Sequence, residues 1–338
     1  MVRIFLYSLF ISLLMKIFTW HIHGSYLYFL SQGDYEIYIP VTASKKEEGY
    51  YGRGNTFPFG PNVKEVPVAE VKDLEFDCLL FQTNQNYLED QYQILSEEQR
   101  KLPRIYLEHD PPRKHPTDTV HIMQDPEVSF VHVTHFNKLM WDNGPVPTTV
   151  IEHGVLEHSV PYSGELDRGL VIINNLPARG RLLGLDLFLE ARKQVPLDLV
   201  GMDTGDLGLG EVLHPELPQF ASRYRFFFNP IRWTSLGLAI CEAMMLGLPV
   251  VGLATTELSS VIQNERSGYI HTDPDYLIQK MKLLLKDPSL AHQLGEEGKK
   301  TAQQRFSIQR FTQQWKDLFD RTINHKALGK KASYAQLL

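Results

Sequence analysis

The sequence predicts an α/β protein of two domains, each built on a parallel sheet with helices on both faces. The chain has 338 residues, and a domain size of about 150 residues predicts two domains. Its composition, 43% hydrophobic and 22% charged, excludes disordered, collagen-like and coiled-coil chains. Apolar segments of strand length alternate with helical segments, most regularly after residue 168. Such strands indicate parallel sheets buried on both faces.

Charge and cysteine content exclude several classes of function. The net charge is −6, with 13 Lys+Arg against 20 Asp+Glu in residues 1–155 and 21 against 20 in residues 156–338. Neither half is strongly basic, so we expect no nucleic-acid groove. The two cysteines, Cys78 and Cys241, lie in apolar segments. They are expected in the core of a protein from a reducing compartment.

Residues 1–14 form an apolar segment whose only charge is Arg3. It is similar to the hydrophobic stretch of a signal peptide, but no cleavage motif of small residues follows. It is also shorter than the roughly 20 residues that span a membrane. We expect an N-terminal extension outside the fold, with Met15 as the functional start. A membrane tether is the alternative.

Residues 15–155 are expected to form the N-terminal domain. A helix is predicted over residues 84–102, and two loops rich in Pro or Gly over residues 50–62 and 111–116. Apolar runs predict the strands. They cover residues 16–20, 35–40, 79–82, 104–108 and 128–133.

Residues 156–324 are expected to form the C-terminal domain. Residues 151–168, which span the boundary between the two domains, are expected to form the linker. The strands are predicted at residues 169–173, 197–200, 224–228 and 249–253. The helices are predicted at residues 184–195, 235–246, 257–264, 275–286, 288–304 and 307–323. Asp287 followed by proline predicts a helix cap. The last helix is expected to cross back to the first domain, and residues 325–338 to form a frayed tail.

Parallel sheets bind ligands at the carboxyl ends of their strands, where loops meet the starts of helices. This rule predicts a site formed by four strand-end segments. They cover residues 23–25, 109–110, 174–181 and 230–237.

The segment at residues 226–253 reads FFFNPIRWTSLGLAICEAMMLGLPVVGL and carries Glu242 inside an apolar helix. A buried carboxylate needs a partner. Ser235, Leu236 and Gly237 would present amides at the positive end of the helix dipole, which suits a diphosphate. Glu242 lies five residues on, about 7.5 Å along the axis, where it could bind the ribose of a nucleotide. A core glutamate paired to an arginine or a backbone amide is the alternative.

This segment resembles the signature of retaining glycosyltransferases of family 4, the glycosyl transferases group 1 domain. The signature has proline, a turn, E-G-F-G-L, three residues and E-A-M-A-x-G-x-P-V-V. The matching residues are Pro230, Gly237, Leu238, Glu242, Ala243, Met244, Gly247, Pro249, Val250 and Val251. The first glutamate of the signature falls on Thr234, which can hydrogen-bond a sugar hydroxyl but carries no charge. The resemblance implies GT-B architecture, with two Rossmann-like domains facing a central cleft.

Weaker similarity extends over most of the chain. Residues 150–155, VIEHGV, resemble the interdomain V-I-P-N-G-V of the family, and residues 267–269 resemble the strand that closes its donor domain. The helix from Gly184 to Ala191 resembles the family's K-G-x-D-x-L-x-x-A helix. Leu183 stands where the family has a diphosphate-binding lysine.

The resemblance also implies roles for other residues. Arg179 and Arg181 would grip the leaving diphosphate, since guanidinium groups bind phosphate oxygens in pairs; solvated loop charges are the alternative. Arg232 is a further cation on the donor side. His109 would contact the donor sugar, or be an ordinary histidine at a strand end. Gly24 would allow a backbone approach to the diphosphate, or serve an ordinary turn.

We expect no metal and no cofactor. His21 and His23 share one face of a strand, and His132 lies near His135, but nothing completes a set of three or four ligands. The resemblance implies the same, because the family uses a helix dipole and arginines instead. A dinucleotide oxidoreductase is disfavoured, since no strand leads into G-x-G-x-x-G.

The sequence therefore predicts a retaining, hexosyltransferase-like enzyme. Its C-terminal domain would bind a nucleotide-diphosphate sugar such as a UDP- or GDP-sugar, and its N-terminal domain a glycan or lipid-linked acceptor. The alternatives are a GT-B nucleotide-sugar 2-epimerase and a catalytically weak nucleotide-sugar-binding protein. The expected location is cytoplasmic, with peripheral contact at the inner face of the membrane as the alternative.

Overall fold

Seven parallel strands build the first sheet of this computed structural model, which describes residues 14–335, and side chains through residue 325. The expected N-terminal extension, apart from Leu14, lies outside the described residues. The strands are β1 (Lys16–Thr19), β2 (Glu36–Val41), β3 (Val63–Pro67), β4 (Cys78–Phe81), β5 (Arg104–Glu108), β6 (Val128–His132) and β7 (Thr148–Val150). Their order across the sheet is β3-β2-β1-β4-β5-β6-β7, and every pair is parallel.

Five parallel strands build the second sheet. They are β8 (Leu166–Ile172), β9 (Leu197–Val200), β10 (Tyr224–Asn229), β11 (Val250–Leu253) and β12 (Gly268–His271). Their order is β12-β11-β10-β8-β9. The apolar central strands β10 and β11 are buried along their whole length. Two Rossmann-like parallel sheets are thus confirmed.

Short helices cover the first sheet, and longer ones the second. Those within the first domain are α1 (Gly24–Leu30), α2 (Gln91–Ile94), α3 (Glu97–Arg100) and α4 (His135–Met140). Those that follow are α5 (Leu176–Arg179), α6 (Leu185–Arg192), α7 (Leu217–Ala221), α8 (Leu238–Leu246), α9 (Leu258–Val261), α10 (Pro274–Lys286), α11 (Pro288–Arg305) and α12 (Ile308–Ala335). The predicted cap of α11 is confirmed, because the Asp287 carboxylate accepts from the Leu290 amide at 2.9 Å. Within residues 14–335, every helix falls short of the length or apolar character that crossing a bilayer requires.

Helix α12 returns to the first domain. Trp315 is fully buried there, and its Nε1 donates to the Tyr26 hydroxyl at 3.1 Å. The prediction that this helix ends near residue 323 and a frayed tail follows is wrong, since the helix continues to Ala335. The last twelve residues of the helix contain three Ala and three Lys, which favour helix.

The predicted helix over residues 84–102 is wrong in its interior. A π-helical turn over Asn86–Asp90 leads into α2, and the chain is extended at Leu95 before α3 begins. Ser96 and Gln99 form a reciprocal capping box that starts the new helix. Such a box satisfies two backbone amides at the start of a helix, which have no acceptor within the helix itself. It therefore favours a new helix start at this point over a continuous helix.

Strands β3 and β7 are not predicted from the sequence. Both lie at the edges of the first sheet. Edge strands carry polar residues and proline that prevent further pairing, so their sequences lack the apolar pattern of a strand. Lys64, Glu65 and Pro67 in β3 are of this kind.

Candidate active site

The cleft between the two sheets lies where the strand order reverses in each. The reversal falls between β1 and β4 in the first sheet, and between β8 and β10 in the second. Ligands of open α/β sheets bind outside such points. The cleft contains a cavity of about 610 Å³, within the usual size range of small-molecule sites. The predicted residues that line it are Gly24, His109, Ser235, Leu236, Gly237 and Glu242.

Glu242 projects from α8 into this cavity and has a histidine as its partner. The His214 Nε2 donates to the Glu242 Oε1 at 2.9 Å. His214 is held in turn by ring contacts across the cleft, with centroid distances of 5.0 Å to Tyr28 and 5.1 Å to Phe57. No other side-chain hydrogen bond to Glu242 is found within residues 14–325, so its Oε2 remains available to a ligand. The partner of Glu242 is therefore an imidazole, and not the arginine or backbone amide of the alternative interpretation.

The start of α8 lies three residues later than predicted. Gly237 is extended, with φ −67° and ψ 136°. The carbonyl of Leu236 accepts from the His153 Nε2 at 2.7 Å instead of entering the helix. The first helical amides are therefore those of Leu238 and Ala239, which a helix leaves without intrahelical acceptors. Both residues line the cavity, and a Cβ at Gly237 would meet nothing within 4 Å.

Three histidines stand together on the opposite wall. The rings of His23 and His109 are 4.1 Å apart, and Tyr26 contacts both His109 and His153 edge-on. The His109 Nε2 donates to the Gln82 Oε1 at 3.1 Å, because the Gln82 amide nitrogen already donates to groups at the end of β1. Burial lowers the pKa of His109 well below its usual value, and that of His153 to about 4. Both rings are neutral near pH 7.

A comparison with family models shows what part of the second domain is similar to. Residues 184–287 match the model of glycosyl transferases group 1. The matched segment, less than a third of the chain, is similar to the group 1 glycosyltransferase domain. That segment contains α8 and Glu242, so the resemblance in the sequence is confirmed.

Solved structures share the whole two-sheet architecture. Sucrose-phosphate synthase from Thermosynechococcus elongatus superposes with a TM-score of 0.68 at 14% identity, over 92% of this chain and 100% of that one. Anabaena HepE in complex with UDP and glucose gives 0.65 at 13% identity, over 91% and 99%. S. aureus TarM in complex with fondaparinux, alpha-GlcNAc-glycerol and UDP gives 0.57 at 14% identity, over 75% and 58%. The GT-B architecture is thus confirmed.

One relative is detected by sequence as well. Trehalose synthase of Pyrococcus horikoshii is 27% identical over 84 residues, which are 25% of this chain and 20% of that protein. The match therefore spans about a fifth of the relative's length.

The structure does not bring the two predicted arginines together in the cleft. Arg181 precedes the group 1 domain, is 76% exposed and pairs with Asp186 at 2.5 Å. Arg232 pairs with the same carboxylate at 2.6 Å. Arg179 lies nearer the cleft, and its positive charge contributes to lowering the pKa of His23. Leu183, at the usual place of a lysine, is buried.

Thr234 stands outside the cavity wall. The preceding Trp233 fixes this loop by donating its Nε1 to the carbonyl of Pro112 in the first domain, at 3.1 Å. The predicted contact of Thr234 with a sugar hydroxyl therefore stays a prediction.

Gly24 lines the cavity as the first residue of α1. A Cβ there would lie 2.5 Å from the Phe57 ring. The glycine therefore allows an aromatic ring, which also contacts His214, to approach the backbone.

Sequence reasoning did not find His214. It lies in a loop without periodicity, and its role depends on α8 and on aromatic residues of the other domain. Its spacing from Glu242 of 28 residues belongs to no motif that the sequence presents.

Within residues 14–335, no group of three His, Cys, Asp or Glu is placed to hold a metal ion. His21 is tied to its own loop, where its Nδ1 lies 2.6 Å from the carbonyl of Gly52. His132 bonds Asn143 at 2.7 Å.

Proposed function

We propose that the protein transfers a hexose from a nucleotide-diphosphate sugar to a glycan or lipid-linked acceptor, with retention at the anomeric carbon. One observation carries the proposal: α8 of the group 1 domain places a free carboxylate oxygen and its first amides in one cavity. A nucleotide needs an acceptor for its ribose hydroxyls and donors for its diphosphate. The cavity offers both, about 4.5–6 Å apart along the helix axis.

The donor is bound by Glu242, by the first amides of α8 and by His109. The Glu242 Oε2 accepts from the ribose, while His214 fixes the carboxylate through Oε1. The amides of Leu238 and Ala239 bind the diphosphate at the positive end of the helix dipole. The fixed Nε2–H tautomer of His109 leaves its Nδ1 as an acceptor for a sugar hydroxyl.

Catalysis in this proposal is mainly positioning and stabilisation of the leaving diphosphate. The acceptor attacks the face that the diphosphate leaves, through an oxocarbenium-like state. The leaving phosphate oxygen takes the acceptor's proton. No side chain forms a bond to the sugar.

The nucleotide and the acceptor class are supported by similar structures. HepE is seen with UDP and glucose, and TarM with UDP, fondaparinux and alpha-GlcNAc-glycerol. The location proposed is cytoplasmic, with lipid-linked acceptors drawing the protein to the inner face of the membrane. Two buried cysteines support a reducing compartment.

A thermal-shift screen of nucleotide sugars, followed by turnover with acceptor, tests the function. A donor at a hundred times its Kd stabilises the native protein by about 2.7 kcal/mol. Proton NMR of the product then gives its anomeric configuration. A panel of UDP-, GDP-, ADP- and dTDP-sugars that leaves Tm unchanged would contradict donor binding. Binding without transfer would instead favour a binding protein, and a free epimerised sugar a 2-epimerase.

A further inference from the structure

We propose that His23 is a cationic ligand of the donor's diphosphate, so that binding of a nucleotide sugar moves one proton from the buffer to its imidazole. The inference rests on the proposed function and concerns how this chain supplies positive charge in the cleft.

The cavity holds few fixed cations for a ligand with two negative charges. Among the residues that line it, Arg53 is the one lysine or arginine within the described chain. Its guanidinium donates to the carbonyl of Phe59 in its own loop. Arg181 and Arg232 share Asp186 outside the cavity. The dipole of α8 supplies only about half a charge, so further positive charge has to come from elsewhere.

His23 lies where that charge is needed. It lines the cavity and is exposed to it. Its ring centroid lies 4.1 Å from that of His109, with the two rings tilted by 57°. Its charge when protonated lowers the pKa of His153, whose Nε2 donates to the carbonyl of Leu236 just before α8. The imidazole and the first amides of α8 therefore face the same cavity.

The other two imidazoles of the cluster, those of His109 and His153, are less suited to bind the diphosphate as cations. Each uses its Nε2 on a protein acceptor, and burial lowers the pKa of both. No hydrogen bond to either ring nitrogen of His23 is found within residues 14–325. Both its nitrogens can therefore donate to phosphate oxygens once it is protonated.

The charges that face His23 come from three directions. Asp110 and Glu48 favour its cation, while Arg113 and Arg179 oppose it. The cleft walls displace water from the ring and have the largest effect, so the pKa of His23 lies below its ordinary value. His109 and His153 add no charge near neutral pH. His23 is thus mostly neutral before the ligand binds.

A bound diphosphate reverses this balance. With a pKa below about 6.5, fewer than about a quarter of the rings are charged at pH 7. Two negative charges in contact raise the pKa by at least about one unit. At pH 7 a rise of about one unit takes up at most about half a proton, and a larger rise takes up more. Arg179 supplies a permanent positive charge near His23.

The test measures proton uptake by calorimetry with UDP-glucose, and with GDP-glucose as a second probe. Their diphosphates are diesters and do not titrate near neutral pH, so uptake reports on the protein. The binding enthalpy is measured in buffers of different ionisation enthalpy, and the slope gives the number of protons. Affinity is then followed from about pH 6 to pH 8.5.

Three variants separate charge from shape. His23→Gln is expected to take up no proton and to bind about tenfold or more weakly at the acid end, with little dependence on pH. His23→Lys is expected to take up no proton while keeping the affinity of the unchanged protein at the acid end. His135→Gln, at an exposed histidine outside the cavity, is the matched control and should keep full uptake.

Several results would overturn the inference. Uptake that persists in His23→Gln assigns the proton to another group. Equal loss of binding in the Gln and Lys variants, with both still folded by circular dichroism, assigns a role of shape. Binding of UDP-glucose without proton uptake refutes the inference alone, whereas binding of neither probe contradicts the proposed function as well.

Discussion

Replacement of Glu242 by glutamine tests the ribose site directly. The carboxylate has two oxygens with different partners, since Oε1 accepts from His214 at 2.9 Å and Oε2 is left for a ligand. In Glu242→Gln the carbonyl oxygen stays on His214, and the amide group that replaces Oε2 can only donate. The variant therefore removes one acceptor while keeping the size and the contact with His214.

The size of the effect follows from that lost acceptor. A hydrogen bond to a charged group contributes about 1.5–3 kcal/mol. At 1.36 kcal/mol per tenfold, donor binding and kcat/KM should fall by about 10- to 150-fold, mostly through KM. We expect the loss to be limited to the ribose contact, because the amides proposed for the diphosphate lie about one turn earlier, at the start of α8.

The assay compares the Kd of UDP with that of 2′,3′-dideoxy-UDP. The unchanged protein should prefer UDP, and Glu242→Gln should lose this preference, which isolates the ribose contact as a double-mutant cycle does. Glu211 lines the same cavity, so Glu211→Gln is a matched control that also removes one negative charge. It should keep the preference for UDP.

Two results would refute the reasoning. An equal change for UDP and the dideoxy analogue would mean that Glu242 acts on the fold or on the net charge. Normal donor binding by Glu242→Gln, together with loss of turnover in Thr234→Ala, would assign the site to the threonine. We expect Thr234→Ala to cost less than about tenfold, because Thr234 stands outside the cavity wall.

Three further predictions concern the diphosphate and the core. Arg179→Ala should weaken UDP binding by about tenfold or more, whereas Arg181→Ala should stay within about threefold because its exposed pair lies outside the cavity; equal Kd changes in a fluorescence titration would contradict this. Trp315→Ala should lower the free energy of unfolding by about 3–5 kcal/mol in urea, and a loss below about 1 kcal/mol would show that α12 does not stabilise the first domain. Gly184→Ala should lower Tm far more than Gly180→Ala, because both have positive φ but only the former puts a Cβ 2.1 Å from a backbone carbonyl; similar Tm values would contradict the clash.

Most of the fold could be predicted because buried strands and capped helices depend on local sequence. Residues 104–108 and 197–200 are predicted to the residue, since most of their side chains are apolar and buried. The Asp287 cap is local as well. Edge strands such as β7 could not be predicted, because pairing on one side tolerates a short polar sequence such as TTV.

In the candidate site too, the residues positioned by local sequence could be predicted, and those positioned by distant contacts could not. Gly237 and Glu242 are fixed by the backbone of one segment, so a motif identifies them. The start of α8 could not be predicted, since it depends on a hydrogen bond from His153, 83 residues earlier in the chain. The ion pair between Arg181 and Asp186 could not be predicted either. The sequence does not show whether this carboxylate or a bound diphosphate lies closer to the guanidinium group.

The relation between the domains explains why the charged residues of the cleft are the hardest to predict. Glu257 of the second domain accepts from the backbone amide of Phe136 in the first at 2.8 Å, and it pairs with Arg305 at 3.4 Å. Arg305 also pairs with Glu152 in the connection between the sheets. These bonds connect the two domains, and the placement of the domains sets which side chains of one wall of the cleft meet those of the other. A leucine at the usual lysine position removes charge from one wall only. The compensation that we propose for His23 comes from the first domain, where no motif of the second domain can reveal it.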